Sequence, residues 1–409
     1  MKRSFKRIAA GLLAVLMLIC AGVPVLAGDM IDDVEDGENG KEPSSEVSGG
    51  AVEAALSVDA KSCILMEAST GTVIYESNAD EALRPASVTK IMSVLLIMEA
   101  IDAGTISLED KVSCSENAAS MGGSQVYLEP GEEMTVDELL KCVLISSAND
   151  ATVALAEYVA GDEAAFVARM NERASELGME NTHFVNTNGL DDAEDAESHL
   201  ISARDIAIMS RELITKHPEV FNYTTVWMDS IRNGAFGLSN TNRLIRFYKG
   251  ATGLKTGSTS KAGFCISATA ERDGMQLIAV IMGSPTRDIR NEAAKTLLDY
   301  GYANYAIYKN EGGSGGEIPV TGGVADSVGT VYGEFSALLK KGSEKHVNET
   351  VTLNESVTAP VKAGDVVGEV TYTVGDEVIG RVPVTAAEDV GKISYWGLLL
   401  RLLNGMIMG

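Results

Sequence analysis

Three short runs of residues, widely separated in the chain, hold the groups that could do chemistry: Ser87-Val88-Thr89-Lys90, Ser147-Ala148-Asn149 and Lys255-Thr256-Gly257. A serine hydroxyl is a poor nucleophile until a neighbour takes its proton, and a lysine can do so if desolvation lowers its pKa. With Ser87 at a helix start, Lys90 projects from the same face one turn later. Backbone N–H groups at that start can stabilise an oxyanion. Ser147 can relay a proton between Lys90 and a leaving amine, while Asn149 can bond substrate backbone or keep Lys90 oriented. Lys255 and Thr256 can bind a carboxylate, and Gly257 removes a side chain that would block approach. Together these imply acyl transfer from a peptide-like substrate ending in a free carboxylate.

Each run also has a plainer reading. Ser-x-x-Lys alone is a helix cap with a surface lysine, and Lys-Thr-Gly alone is a surface turn. Near-duplicates exist: Ser258-Thr259-Ser260-Lys261 lacks a following apolar helix, and Ser115-Glu116-Asn117 lies in polar, loop-like sequence. Order and domain-scale separation favour the catalytic reading. The histidines His183, His199, His217 and His346 show neither metal spacing nor a motif beside the nucleophile, so structural roles are expected. No metal and no cofactor is expected.

The elements that must position these groups follow from periodicity. Cys63-Ile64-Leu65-Met66 and Val73-Ile74-Tyr75 flank a turn at Ser69-Thr70-Gly71 and read as a β-hairpin. Val88 to Ala103 reads as a helix apolar nearly all round, hence deeply buried. Helical patterns follow at Val136–Ile145, Asp150–Ala160, Glu163–Leu177 and Ala203–Ile214, with Ser147-Ala148-Asn149 as a turn between two of them. Thr252–Thr256, Gly263–Ala270 and Met275–Met282 read as strands, the first an edge strand beside which a substrate can add, and Thr286–Tyr305 as a helix. Strands at both ends with helices between imply an α/β fold: one sheet assembled from the two ends, plus a mainly helical lobe inserted between, with a cleft where they meet.

Beyond this, Gly312-Gly313-Ser314-Gly315-Gly316 reads as a flexible linker. Val331 to Val384 then alternates in short strands, as in a small all-β domain. The last segment, Ile393 to Met408, carries Trp396, Leu398, Leu399, Leu400, Leu402 and Leu403 around Arg401. It is too short to span a bilayer comfortably, and as an amphipathic helix it suits a membrane surface. The plainer alternative is a terminal helix docked on the β-domain.

Residues 1–27 read as a signal peptide, with Lys2, Arg3, Lys6 and Arg7 before the apolar run Ile8 to Ala21. Residues 28–54 read as a disordered acidic spacer. The divisions that follow are a catalytic domain at 55–309, a β-domain at 310–390 and the amphipathic segment at 391–409. Loss of the four basic leader residues takes the formal charge from −25 to −29, which argues against nucleic acid as a partner. Cys63, Cys114, Cys142 and Cys265 have no paired spacing and are expected as free, buried thiols.

Arg84-Pro85-Ala86-Ser87-Val88-Thr89-Lys90, Ser147-Ala148-Asn149-Asp150-Ala151 and Gly253-Leu254-Lys255-Thr256-Gly257 resemble the signatures of the low-molecular-mass penicillin-binding proteins, specifically the serine-type D-alanyl-D-alanine carboxypeptidases. The stretches Phe184 to Leu190, Ser202-Ala203-Arg204-Asp205 and Lys261-Ala262-Gly263 extend the resemblance, as do the β-domain and the amphipathic tail. The resemblance implies the penicillin-binding/β-lactamase-like transpeptidase fold and removal of the terminal D-alanine from peptidoglycan stem peptides through an acyl-enzyme on Ser87. It further implies an oxyanion hole from the N–H groups of Ser87 and Ser258, help from Arg290 in binding the carboxylate, and β-lactams as covalent inhibitors. The expected location is the outer face of the cell membrane. A β-lactamase would share the motifs, but no E-x-x-L-N sequence lies between Asn149 and Asn188. A binding protein with a degenerate site is the non-enzymatic alternative, against which the intact motif residues argue.

Overall fold

The computed structural model describes Leu56, residues 58–192 and residues 194–408. The expected signal peptide and the whole acidic spacer lie outside the described residues. β1 (Ser62–Glu67) and β2 (Val73–Ser77) form the hairpin expected from their apolar runs. A 3-10 turn at Ala86–Thr89 leads into α1 (Lys90–Asp102), which is buried on nearly every side because its apolar residues run all round. α2 (Val136–Ile145), α3 (Asn149–Ala160), α4 (Glu163–Glu176) and α5 (Ala203–Lys216) follow; α3, α4 and α5 pack on α1, and α2 packs on α3. Thr135 and Glu138 cap α2 reciprocally, which stabilises such a helix start by about 1 kcal/mol.

The chain then returns to the sheet as β3 (Ala251–Thr259), β4 (Gly263–Arg272) and β5 (Met275–Ser284), followed by α6 (Arg287–Asn304). The sheet is antiparallel in the order β2-β1-β5-β4-β3, so strands from both ends of the domain meet where β1 pairs β5. β3, carrying Lys255-Thr256-Gly257, is the edge strand. Period-two alternation sends Ile64, Met66, Ile278, Val280 and Met282 into the core shared with α1 and α5. Leu65, Leu277, Ala279 and Ile281 face the other way, against Leu297 and Leu298 of α6. Each such fully buried aliphatic side chain contributes roughly 1.5–3 kcal/mol, so the sheet is clamped on both faces. This is the α/β architecture expected, with its helical lobe.

The glycine-rich run is not a linker. β6 (Tyr305–Asn310) pairs with β9 (Phe335–Lys340), and Gly313 opens β7 (Gly313–Thr321), which pairs with β8 (Ser327–Tyr332). A Cβ at position 315 would lie 2.6 Å from Thr330 Oγ1 and 2.9 Å from Val384 Cγ1. The glycines serve close strand packing here rather than flexibility. With β10 (Val347–Leu353), β11 (Val357–Thr358), β12 (Val366–Val374) and β13 (Glu377–Ala386), the second sheet runs β10-β12-β13-β8-β7-β11 around a core of Ile318, Val328, Val370, Tyr372 and Val384.

α7 (Tyr395–Met408) follows the β-domain. Arg401 pairs with Asp326 at 2.6 Å and donates to Val324 O at 2.9 Å, while Tyr395, Trp396, Leu400 and Leu402 stay exposed. Among the described residues no helix is long and apolar enough to cross a membrane. Cys63, Cys114, Cys142 and Cys265 are free and buried, as expected.

Candidate active site

The three motifs converge where the first turn of α1, the turn between α2 and α3, and the edge strand β3 meet. Ser87 lies half-buried in the 3-10 turn, preceded by Ala86 in the left-handed region at φ +48°. Lys90 is fully buried, with Nζ 2.9 Å from Ser87 Oγ, 2.6 Å from Asn149 Oδ1 and 2.9 Å from Asn188 O. Two of those three oxygens can only accept. Asn149 is oriented by its own amide, whose Nδ2 donates to Gly122 O at 2.7 Å, so Oδ1 must face Lys90. A neutral lysine has two N–H donors and one lone pair. The donors are taken by Asn149 and Asn188, which leaves the lone pair for the Ser87 hydroxyl.

Electrostatics favour that neutral form. Burial, and then the Lys255 charge, hold Lys90 well below the ordinary lysine range, with Asp150 pulling the other way. Lys255 is itself buried, and burial with the nearby Arg290 charge lowers it to about 7. Its Nζ donates to Ser147 Oγ at 2.8 Å and to Thr256 O at 2.9 Å. Ser147, at φ +63°, therefore bonds Lys255 rather than Lys90, the partner expected for it. Thr256 Oγ1 donates to Thr241 Oγ1 at 2.7 Å.

Gly257 sits against the turn that carries Ser87: a Cβ there would be 2.7 Å from Ser87 N. Ser258, the next residue of β3, is exposed. Arg290 stands apart. It is 3% exposed, donates to Asn291 Oδ1 at 2.8 Å and to Cys265 O at 3.4 Å, and reaches the site through its charge.

Three participants were given no role from the sequence. Asn188 contributes a backbone carbonyl, which any residue would supply. Thr241 meets Thr256 from a loop, and Asp150 anchors the loop over the site by accepting from Val126 N and Leu128 N at 3.0 Å each. The quoted stretches Phe184 to Leu190 and Ser147 to Ala151 include Asn188 and Asp150, and Thr241 lies in neither.

Chemically such an arrangement can support serine acyl transfer, with a buried amine as base and a second buried lysine on an edge strand as anchor. The D-alanyl-D-alanine carboxypeptidase family of peptidases matches residues 49–286, and the C-terminal domain of penicillin-binding protein 5 matches residues 307–392. The chain is 42% identical to D-alanyl-D-alanine carboxypeptidase DacF of Bacillus subtilis over 85% of its length and 90% of the relative's. It is 34% identical to D-alanyl-D-alanine carboxypeptidase DacC of Escherichia coli, over 84% and 87%. Penicillin-binding protein 5 of Haemophilus influenzae superposes with a TM-score of 0.71 at 30% identity, covering 85% of this chain and 100% of that one. Ampicillin-bound penicillin-binding protein D2 of Listeria monocytogenes superposes at 0.55 with 31% identity, covering 60% and 99%. The chain belongs to the D-alanyl-D-alanine carboxypeptidase family of serine peptidases.

Proposed function

We propose that this enzyme removes the terminal D-alanine of a peptidoglycan stem peptide through an acyl-enzyme on Ser87. The placement of Lys90 carries this reading: its two N–H groups are committed to Asn149 and Asn188, and its lone pair faces the hydroxyl at 2.9 Å. Lys90 takes the proton as Ser87 Oγ attacks the carbonyl between the two terminal D-alanines. The N–H groups of Ser87 and Ser258 stabilise the oxyanion. Lys255 and Thr256 hold the terminal carboxylate. Ser147, bonded to Lys255, lies on the route by which the leaving amine receives its proton. Water then hydrolyses the ester, with Lys90 again as base, and β-lactams acylate Ser87 as substrate mimics. Arg290 acts on Lys255 by charge.

Stem peptides lie outside the cytoplasm, which agrees with an exported protein. The exposed apolar side chains of α7 fit the surface of the membrane, with Tyr395 and Trp396 at headgroup level. Intact-mass measurement after exposure to penicillin tests the nucleophile. One adduct is expected on the wild type and none on Ser87→Ala; an adduct that persists in the variant overturns the assignment.

A further inference from the structure

We infer that His199 is a positioning residue that, through Thr89, sets the direction of the Ser87 N–H group used as an oxyanion donor. The inference rests on the reading of Ser87 as nucleophile. His199 is 2% exposed and lies 110 positions from Thr89 in sequence, packed edge-on against Phe184 at 5.9 Å between ring centroids.

Its tautomer is set by its neighbours. Val185 N–H donates to Nδ1 at 3.0 Å, so the single proton of the neutral ring resides on Nε2. Nε2–H then donates to Thr89 Oγ1 at 2.8 Å. With that oxygen acting as acceptor, the threonine's own hydrogen is directed to Ala86 O at 2.9 Å. Burial lowers the His199 pKa to about 4, which keeps the ring in the neutral form the chain of bonds requires.

The consequence comes from the peptide plane. Ala86 C=O and Ser87 N–H belong to one rigid amide and point in opposite directions. Fixing the oxygen therefore fixes the N–H. The need is real because Ala86 is left-handed at φ +48°, a conformation that a non-glycine residue keeps only where its surroundings hold it. Gly189 presses on the same carbonyl: a Cβ at position 189 would be 1.9 Å from Ala86 O and 2.8 Å from Thr89 Oγ1. Residue 189 follows Asn188, whose carbonyl accepts from Lys90. One loop thus orients both the base and, through His199, the oxyanion amide.

The test uses the full-length protein and the second-order rate of acylation by a fluorescent penicillin, expressed per titratable active site, beside the unfolding temperature. Counting active sites removes any unfolded fraction, so a purely structural role leaves this rate unchanged. Thr89→Val keeps the shape and deletes the bond to Ala86 O; a loss of tenfold or more is expected. Thr89→Ser keeps the hydroxyl and should acylate within threefold of wild type. His199→Gln can present a donor where Nε2 stands and should outperform His199→Ala. Combining Thr89→Val with His199→Ala should cost no more than the larger single loss, because both break one chain. Wild-type rates in Thr89→Val, or losses that multiply in the double variant, overturn the inference. A wild type that forms no adduct removes the reading beneath it instead.

Discussion

Substituting Gly257 by alanine tests how tightly the edge strand is seated on the nucleophile. The added Cβ would stand 2.7 Å from Ser87 N, 2.9 Å from Pro85 O and 2.9 Å from Val88 N. All three are backbone atoms of the turn that carries Ser87, so no side chain can swing aside. Restoring ordinary contact at 3.4 Å requires β3 and the turn to part by about 0.7 Å. That gap opens between Ser87 on one side and the Ser258 N–H and Lys255 on the other. A misplacement of about 1 Å costs on the order of a hundredfold in rate, so a loss between roughly tenfold and a hundredfold in acylation is expected. Overpacking should also cost about 1–3 kcal/mol of stability. Stopped-flow acylation by a fluorescent β-lactam and thermal unfolding measure the two effects separately. Gly329→Ala is the control, since a Cβ there meets nothing within 4 Å. A Gly257→Ala enzyme with the wild-type acylation rate and unfolding temperature would refute this account of the cleft.

Two further outcomes follow. As a base Lys90 must be neutral, so kcat/KM should rise as pH climbs through its lowered pKa. As an anchor Lys255 must be charged, so kcat/KM should fall as pH climbs past about 7. Arg290→Met removes the charge that helps depress Lys255 and should move this descending limb to higher pH; a pH–rate profile with the limb unmoved contradicts the role given to Arg290. Serine replacements at Trp396, Leu400 and Leu403, all exposed on α7, should abolish cosedimentation with phosphatidylglycerol vesicles and leave penicillin acylation intact. Equal sedimentation of variant and wild type would count against a membrane surface.

Much of the scaffold was legible because its signals are local. The apolar circumference of α1 and the turn at Ser69-Thr70-Gly71 between β1 and β2 each depend on residues within a few positions of one another. The helix carrying Lys90 and the strand carrying Lys255 could therefore be placed before any contact was known. The glycine run from 312 to 316 misled because composition cannot separate a flexible segment from strands packed closely: both favour residues without side chains. Position 315 is filled by Thr330 and Val384, which are remote in sequence.

What the sequence determined by itself was the inventory of reactive groups, their order, and the secondary structure that presents each one. The tertiary structure decided the pairings: Asn149 and the Asn188 carbonyl on Lys90, Ser147 on Lys255, His199 on Thr89. These bonds span 59, 98, 108 and 110 positions. One of them, Asn188 O on Lys90, uses a backbone atom that every residue possesses. A hydrogen bond is defined by distance and direction between atoms, and only the folded chain supplies either.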